Sequence, residues 1–405
     1  IVPILFLVAF IVFTYVLFNY NLLVSEQRYL ILVVIAFVGL LSVWGLQKTK
    51  GWAQITINVF LFLASVVLLL GSYYIYTTFD TLDRISTIEE ENVIEDQPIS
   101  SVPELSIDES DQSELAEKEP ATEEDIDKAL EDLAGKSTVS GTRADEVEDG
   151  ESFNVLISGI DQYGSLNQVS RSDVNIIMTV NPTTRNILLT TIPRDSYVAI
   201  GGGGNWGYDK LTHSGIYGIG STVATLENLF DINIHYYMRV NFSSLIDMVD
   251  VLGGIEVYSP VAFNSGPYSF HEGMNSMDGK KALAFARERY SLSQGDLSRG
   301  RNQERIIEGM IQKAISPAIL INYPNVMAVV MDSVQTNMPR AKITELINMQ
   351  LAEGGSWQTS STEVSGTGTY GLPSYAMPGW NLYMYQLNDG SVEDVRTKIM
   401  RMMNE

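Results

Sequence analysis

Three apolar runs open the chain, at residues 1–18, 29–46 and 55–76. As helices, each is long enough to cross about 30 Å of hydrocarbon. One such run alone would also suit a buried core helix or a signal peptide. Three in succession, joined by short polar loops, predict a three-helix membrane anchor over residues 1–76. No small-residue cleavage site follows the first run. The second loop carries Lys48 and Lys50 and no acid, whereas Glu26 and Arg28 cancel in the first. The positive-inside rule therefore places the Lys48 loop in the cytoplasm and everything after Tyr76 outside.

The apolar pattern then stops. Residues 77–151 hold 25 acidic and 5 basic residues and almost no aromatics. Such a segment cannot bury enough apolar area to offset the entropy of ordering it. It reads as a solvated, self-repelling spacer. Within it, Ile126, Ala129, Leu130 and Leu133 have the spacing of a short helix.

At Phe153 the pattern changes again. FNVLISGID (153–161), DVNIIMTVN (173–181) and NILLTTIPRD (186–195) read as buried strands, the last two joined by a turn at Asn181-Pro182. Residues 218–230 space Val223, Leu226, Leu229 and Phe230 along one face of a helix. Residues 235–241 predict a strand, 242–252 a helix stopped by Gly253-Gly254, and 255–258 another strand. Strands alternating with helices imply an α/β domain with a central sheet over residues 152–405. Ligands of open α/β sheets bind beyond strand ends. The glycine run at 201–204 is followed by no Lys-Ser/Thr, so it reads as a hairpin tip or lid and not as a phosphate loop.

Composition narrows the chemistry. The formal charge is -23, nearly all of it in the spacer, and the C-terminal domain is only mildly acidic. A nucleic-acid partner would require a positive footprint, which this chain lacks. The absence of cysteine removes disulfides, thiolate metal sites and a cysteine nucleophile.

The candidate site is built from arginines and aspartates. Asp161 ends the first strand and Asp173 opens the second. If these strands are antiparallel neighbours the two carboxylates converge, and with waters and a phosphate oxygen they make an ordinary magnesium site. Alone, both could be turn formers. However, Arg171 lies two residues before Asp173, and Arg194 ends the third strand. Arg287 and Arg289 point the same way if the helix that begins near Gly279 gives way to extended chain. In a helix over residues 299–316, Arg299 and Gln303 share a face with Ile306, Ile307, Met310 and Ala314. Arg301 and Arg305 then fall on the opposite, solvent side. Asp296, just before this helix, is either a cap or a group that orients an arginine or takes a proton. Five inward arginines (171, 194, 287, 289 and 299) need anionic partners, and the guanidinium fork matches phosphate oxygens in pairs. A diphosphate with magnesium fits that charge better than one carboxylate. Phosphoryl transfer needs mainly positioning and charge neutralisation, so such a site can be catalytic without an evident nucleophile. No Ser/His/Asp or HExxH pattern competes, and His213 and His235 read as structural.

Seven motifs now stand in order: SGID (158–161), SRSDVNIIMTVN (170–181), IPRD (192–195), DKLTHSGIYG (209–218), LIDMVDVLGGIEV (245–257), ALAFARERY (282–290) and GDLSRGRNQERII (295–307). Together they resemble the LytR–CpsA–Psr family of bacterial envelope proteins, densely over residues 152 to about 315. The three apolar spans and the RGRNQ form resemble its capsule-locus branch. The resemblance implies a domain with a central mixed β-sheet flanked by helices, outside the bacterial cell membrane. It implies a phosphotransferase that moves a glycopolymer, such as a capsular polysaccharide, from a polyprenyl diphosphate carrier to a peptidoglycan hydroxyl. A pyrophosphatase side activity and capsule-assembly partners would accompany it. Magnesium or manganese would sit on Asp161 and Asp173. The diphosphate would bind Arg171, Arg194, Arg287, Arg289 and Arg299 with Gln303 beside them, and the lipid tail would lie in an apolar pocket inside the domain. Many relatives have a single membrane span, and some capsule-type members carry a folded accessory domain where this chain has its acidic segment. Two alternatives stay open: an indirect regulator of wall or capsule synthesis, and a non-catalytic polyprenyl-phosphate-binding protein.

Overall fold

The computed structural model describes residues 1–19, 25–86, most of 113–129, 147–160, 166, 170–289, 291–292, 296–316, 326 and 333–405. These form two compact units, residues 1–84 with 343–354, and residues 85–342 with 355–405.

The first unit contains α1 (Val2–Asn19), α2 (Ser25–Lys48) and α3 (Trp52–Ser86). All three are long and apolar enough to cross a membrane. Large apolar side chains such as Val33, Leu40 and Val67 remain exposed, which suits a hydrocarbon environment and not water. A small cluster of Phe6, Ala9, Leu61 and Leu68 joins α1 to α3. The buried hydroxyls of Ser65 and Ser72 donate back to the carbonyls of Leu61 and Leu68, so no hydroxyl is left unsatisfied there. Lys48 ends α2 and Lys50 follows it. We expect a reporter that is active only outside the cytoplasm to work when fused after Glu405. Activity of a cytoplasm-only reporter at that position would contradict this topology.

The second unit is built on the strands β1 (Phe153–Ile160), β2 (Val174–Asn181), β3 (Asn186–Thr191), β4 (Tyr197–Ala199), β5 (Tyr208–Lys210), β6 (Tyr236–Asn241), β7 (Ile255–Ser259), β8 (Phe263–Ser265), β9 (Tyr268–Phe270), β10 (Gly273–Met277), β11 (Gln335–Thr336), β12 (Gln358–Glu363), β13 (Gly366–Thr369) and β14 (Met384–Leu387). Its helices are α4 (Ile219–Phe230), α5 (Phe242–Val251), α6 (Gly279–Arg287), α7 (Asp296–Ala314) and α9 (Asp389–Asn404); α8 (Arg340–Glu353) precedes β12 in the chain, and all but its first three residues belong to the first unit. The central sheet has six strands in the order β11-β6-β1-β2-β3-β12. It is mixed: β1 pairs antiparallel with β2 and parallel with β6, and β3 pairs parallel with β12.

Strand alternation sends neighbouring residues to opposite faces. Leu156, Ile177, Leu188 and Tyr237 pack with Val223, Leu226 and Phe230 of α4 and with Val395 and Ile399 of α9. Ile157, Met178 and Met238 turn the other way, toward α5 and α7. The helix predicted over 242–252 starts at a capping box between Asn241 and Ser244 and ends where Gly253 and Gly254 take positive φ. The third strand is shorter than predicted. It stops at Thr191, because Pro193 has no N–H to continue the ladder, and IPRD becomes a loop. The glycine run is a hairpin tip as expected, a short turn at Gly202–Gly204 between the antiparallel β4 and β5.

The acidic segment is not solvated throughout, contrary to expectation. Leu115 and Ile126 are buried, and residues 124–126 are helical. Leu130 and Leu133 lie outside the described residues.

Candidate active site

Two strand ends set the site. Gly159 of β1 stands opposite Val174 of β2, and the Asp173 amide donates to the Gly159 carbonyl at 2.8 Å. The predicted convergence of these strand ends is therefore present in the backbone. Asp161, and the side chain of Asp296, lie outside the described residues.

Asp173 is only 8 % exposed. Its Oδ1 accepts from Arg194 Nη1 at 2.7 Å and from Thr212 Oγ1 at 3.2 Å, and Arg171 Nε lies 3.9 Å from Oδ2. Burial alone would raise this carboxyl. Arg171 and Arg194, and beyond them Arg299, outweigh it and hold the group below the ordinary aspartate value. Arg194 Nε also lies 3.7 Å from Asp195 Oδ2, and Lys210 Nζ is 3.0 Å from Asp195 Oδ1. Burial again opposes ionisation of Asp195, and Lys210 and Arg194 overcome it. The result is a line of alternating charge, Arg171, Asp173, Arg194, Asp195 and Lys210, with Arg194 at its centre.

The DKLTHSG segment laces the two loops together. Thr212 donates its amide to the Arg194 carbonyl at 2.8 Å and accepts the Ser172 amide at 3.0 Å on its own carbonyl. Beneath them, a Cβ at Gly215 would collide with the Ser170 carbonyl and the Ser172 amide, so only glycine admits this approach. Lys210, Thr212 and Asp195 were not predicted as site residues. Their motif was visible in sequence, but their pairing spans loops that only the fold brings together.

Arg299, Gly300 and Gln303 of α7 line one pocket with Asp173, Arg194 and Glu363. The helix phase read from sequence holds on this side. Gln303 also lines a second cavity of about 290 Å³, together with Met178, Met238, Ile307, Met310 and Ala314. A charged chamber and an apolar one thus share Gln303.

Arg301 and Arg305 require a correction, because neither is simply solvated. Arg301 Nε donates to Glu363 Oε2 at 2.7 Å. Arg305 Nη1 donates to Asn302 Oδ1 at 3.0 Å, and Asn302 Nδ2 donates to the Phe285 carbonyl at 3.1 Å. The unpredicted strand β12 carries Glu363 alongside β3 and covers this side of the helix. There too, Thr191 Oγ1 donates to Glu304 Oε2 at 2.9 Å, and burial raises the Glu304 carboxyl.

The helix α6 ends at Arg287, and Glu288 is extended and buried. Its Oε1 accepts the Ser291 amide at 2.8 Å. Arg287 is exposed, with its guanidinium 4.7 Å from the Phe242 ring centroid. Phe242 lines the apolar cavity, so Arg287 stands beside that chamber. Neither Arg287 nor the half-buried Arg289 lines the Asp173–Arg299 pocket.

His213 and His235 are both tied to the fold by hydrogen bonds. His213 Nδ1 lies 2.8 Å from Asp209 Oδ1, and His235 Nδ1 accepts the Asn154 amide at 3.1 Å. Asp209 also accepts the Ala376 and Lys210 amides at 2.7 Å. Burial opposes its ionisation, but His213 and those amides hold its carboxyl below the ordinary value.

Among the described residues no group of three or more His, Asp or Glu could hold a metal. The atom that fits one is Asp173 Oδ2, which is buried and accepts no hydrogen bond. Asp161, the second carboxylate expected there, lies outside the described residues.

The three depressed carboxyls make an acid-stability prediction. Their folded values lie below the unfolded ones, so each contributes stability above the ordinary aspartate range and loses it as pH falls through the folded value. We expect the melting midpoint of the C-terminal unit to hold from neutral pH to about 5 and to drop below about 4. A midpoint unchanged down to pH 2 would contradict it.

Fold and site together define a membrane-anchored α/β domain with an arginine-rich anion pocket beside an apolar slot. The LytR_cpsA_psr family model matches residues 112–400, and the chain belongs to the LytR–CpsA–Psr family. It is similar to TagU of Bacillus licheniformis, a polyisoprenyl-teichoic acid–peptidoglycan teichoic acid transferase, at 33% identity over 261 residues, 64% of this chain and 81% of that protein. The crystal structure of Bacillus subtilis TagU is 32% identical with a TM-score of 0.50, covering 63% of this chain and 98% of that one. A solved structure of TagT bound to LIIa-WTA is 26% identical with a TM-score of 0.51, covering 65% of this chain and 95% of that one. These relatives overturn the expected placement in the capsule-locus branch. The number of spans describes the anchor, and RGRNQ supplies Arg299 and Gln303 to the anion pocket; neither feature reads the polymer. The chain is a multi-pass membrane protein with N-terminal membrane helices and a larger extracytoplasmic domain.

Proposed function

We propose that this protein transfers a teichoic-acid-type glycopolymer from a polyprenyl diphosphate carrier to a peptidoglycan hydroxyl. The observation that carries this is the junction at Gln303 between the pocket of Asp173, Arg194 and Arg299 and the 290 Å³ apolar cavity. A diphosphate lipid has the same two parts, and the TagU relatives are named as transferases of polyisoprenyl-linked teichoic acid to peptidoglycan. The hydroxyl oxygen attacks the sugar-side phosphorus and forms the new P–O bond. The bridging P–O bond breaks, polyprenyl phosphate leaves with its electron pair, and the hydroxyl proton passes to a base. Arg194 and Arg299 offset charge on the phosphates where it grows. Arg171, Arg287 and Arg289 complete the proposed phosphate contacts, and Asp296 is the proposed group that orients an arginine or takes the proton. Asp173 and Asp161 would hold magnesium or manganese, which supplies Lewis-acid charge neutralisation.

Mass spectrometry of lipid co-purified with the full chain tests the substrate class. Polyprenyl phosphate or diphosphate is the expected lipid, and ordinary phospholipid alone would count against it. A mutational contrast tests the pocket. Arg299→Ala should weaken polyprenyl diphosphate binding about ten- to a hundredfold, the worth of a charge-assisted contact of roughly 1.5–3 kcal/mol. Arg301→Ala, whose partner is the half-exposed Glu363, should change binding by less than about threefold. Equal losses would mean that α7 presents another face to the diphosphate.

A further inference from the structure

We infer that residues 113–129 of the acidic segment are a strap that positions the loops of the anion pocket, and so belong to the catalytic unit. The strap is clasped at one buried side chain. Asn381 is 3 % exposed. Its Nδ2 donates to the Lys118 carbonyl at 2.7 Å, and its carbonyl accepts the Ala121 amide at 3.1 Å. Its Oδ1 accepts the Gly371 amide at 3.0 Å, so the same residue also closes the turn it sits in. Lys118 Nζ adds a bond to the Gly379 carbonyl at 3.2 Å.

Beyond the clasp, Ile126 enters a cluster with Tyr197, Ile216, Leu372, Leu382 and Met384. Two of these neighbours matter most. Tyr197 lies two residues after Asp195, and the Asp195 carbonyl accepts the Tyr385 amide at 2.8 Å, next to Met384. Ile216 follows Gly215, on which Ser170 and Ser172 rest. The strap therefore packs behind both segments that set Arg171, Asp173 and Arg194. Among the described residues, none that lines the apolar cavity belongs to its cluster. A charged segment is ordered only where its few apolar residues have a fitted seat, and Ile126 has one.

The consequence falls mainly on turnover. Loosening the strap lets Arg171 and Arg194 shift against Asp173, which transition-state stabilisation does not tolerate, while the lipid slot is untouched. This turnover arm rests on the proposed function. In the full chain, Ile126→Asp should lower kcat at least tenfold and weaken polyprenyl diphosphate binding less than Arg299→Ala does. Ile126→Leu should restore kcat. Hydrogen exchange should rise at residues 194–197 and 211–217 in Ile126→Asp and in Asn381→Ala, with β1–β3 still protected. Exchange confined to residues 113–129 with kcat intact would overturn the strap, as would loss of protection across β1–β3. The exchange arm needs no turnover. Loop-specific deprotection in a protein whose wild type transfers nothing would sink the proposed function and leave the strap standing.

Discussion

Arg194→Ala should abolish transfer and cost about 3–5 kcal/mol of folding stability, the usual penalty for removing one partner of a buried ion pair. Arg194 is 7 % exposed and stands between two carboxylates that it helps to keep ionised. Without it, Asp173 retains Arg171 at 3.9 Å and Asp195 retains Lys210 at 3.0 Å. Asp173 Oδ1 then loses its charged donor at 2.7 Å, and the more distant Arg171 does not replace that bond. Arg194→Lys should recover part of the stability and little of the activity, because an ammonium cannot serve both carboxylates and a phosphate in one plane. Denaturant midpoints and kcat measured together check this. A stability loss below about 1 kcal/mol with turnover intact would remove Arg194 from the centre of the site.

The second large effect is expected on the apolar side. Ile307→Trp places an indole in the 290 Å³ cavity. Displacing three or four methylenes of a bound chain, at about 0.8 kcal/mol each, should weaken lipid binding about a hundredfold. A short-chain diphosphate that does not reach the cavity should bind equally well to both proteins. Equal weakening of both ligands would mean that the substitution disturbs the arginine pocket through Gln303, and that the cavity does not hold the lipid.

What was legible in the sequence, and what was not, follows physical lines. The strands β1, β2 and β3 are buried apolar runs bounded by turn residues, so their pattern carried them. The inward phase of Arg299 and Gln303 came from the spacing of Ile306, Ile307, Met310 and Ala314, and both residues line the pocket. The error at Arg301 has a definite source. Its partner Glu363 ends β12, whose sequence QTSSTE has no apolar alternation because it is an edge strand with a half-exposed surface. Without that strand, a charged side chain opposite an apolar face could only be read as solvated. Lys210 was missed because its partner Asp195 lies in another loop, and no spacing rule links the two. The helical spacing around Ile126 was legible, but its seat against the domain was not, since one buried side chain does not alter the charge balance of the 75 residues around it. The family was legible from seven ordered motifs, but its branch was not, because motifs such as SRSD, IPRD and RGRNQ supply the anion pocket and do not read the polymer.

The most direct test of the central claim is a transfer assay with the purified full chain, a polyprenyl diphosphate-linked glycopolymer, peptidoglycan and magnesium. Polyprenyl phosphate should appear in step with polymer bound to peptidoglycan, one for one, and Arg299→Ala and Asp173→Ala should lose both products together. A protein that binds the lipid tightly while leaving the diphosphate intact, with no polymer on the peptidoglycan, would contradict it.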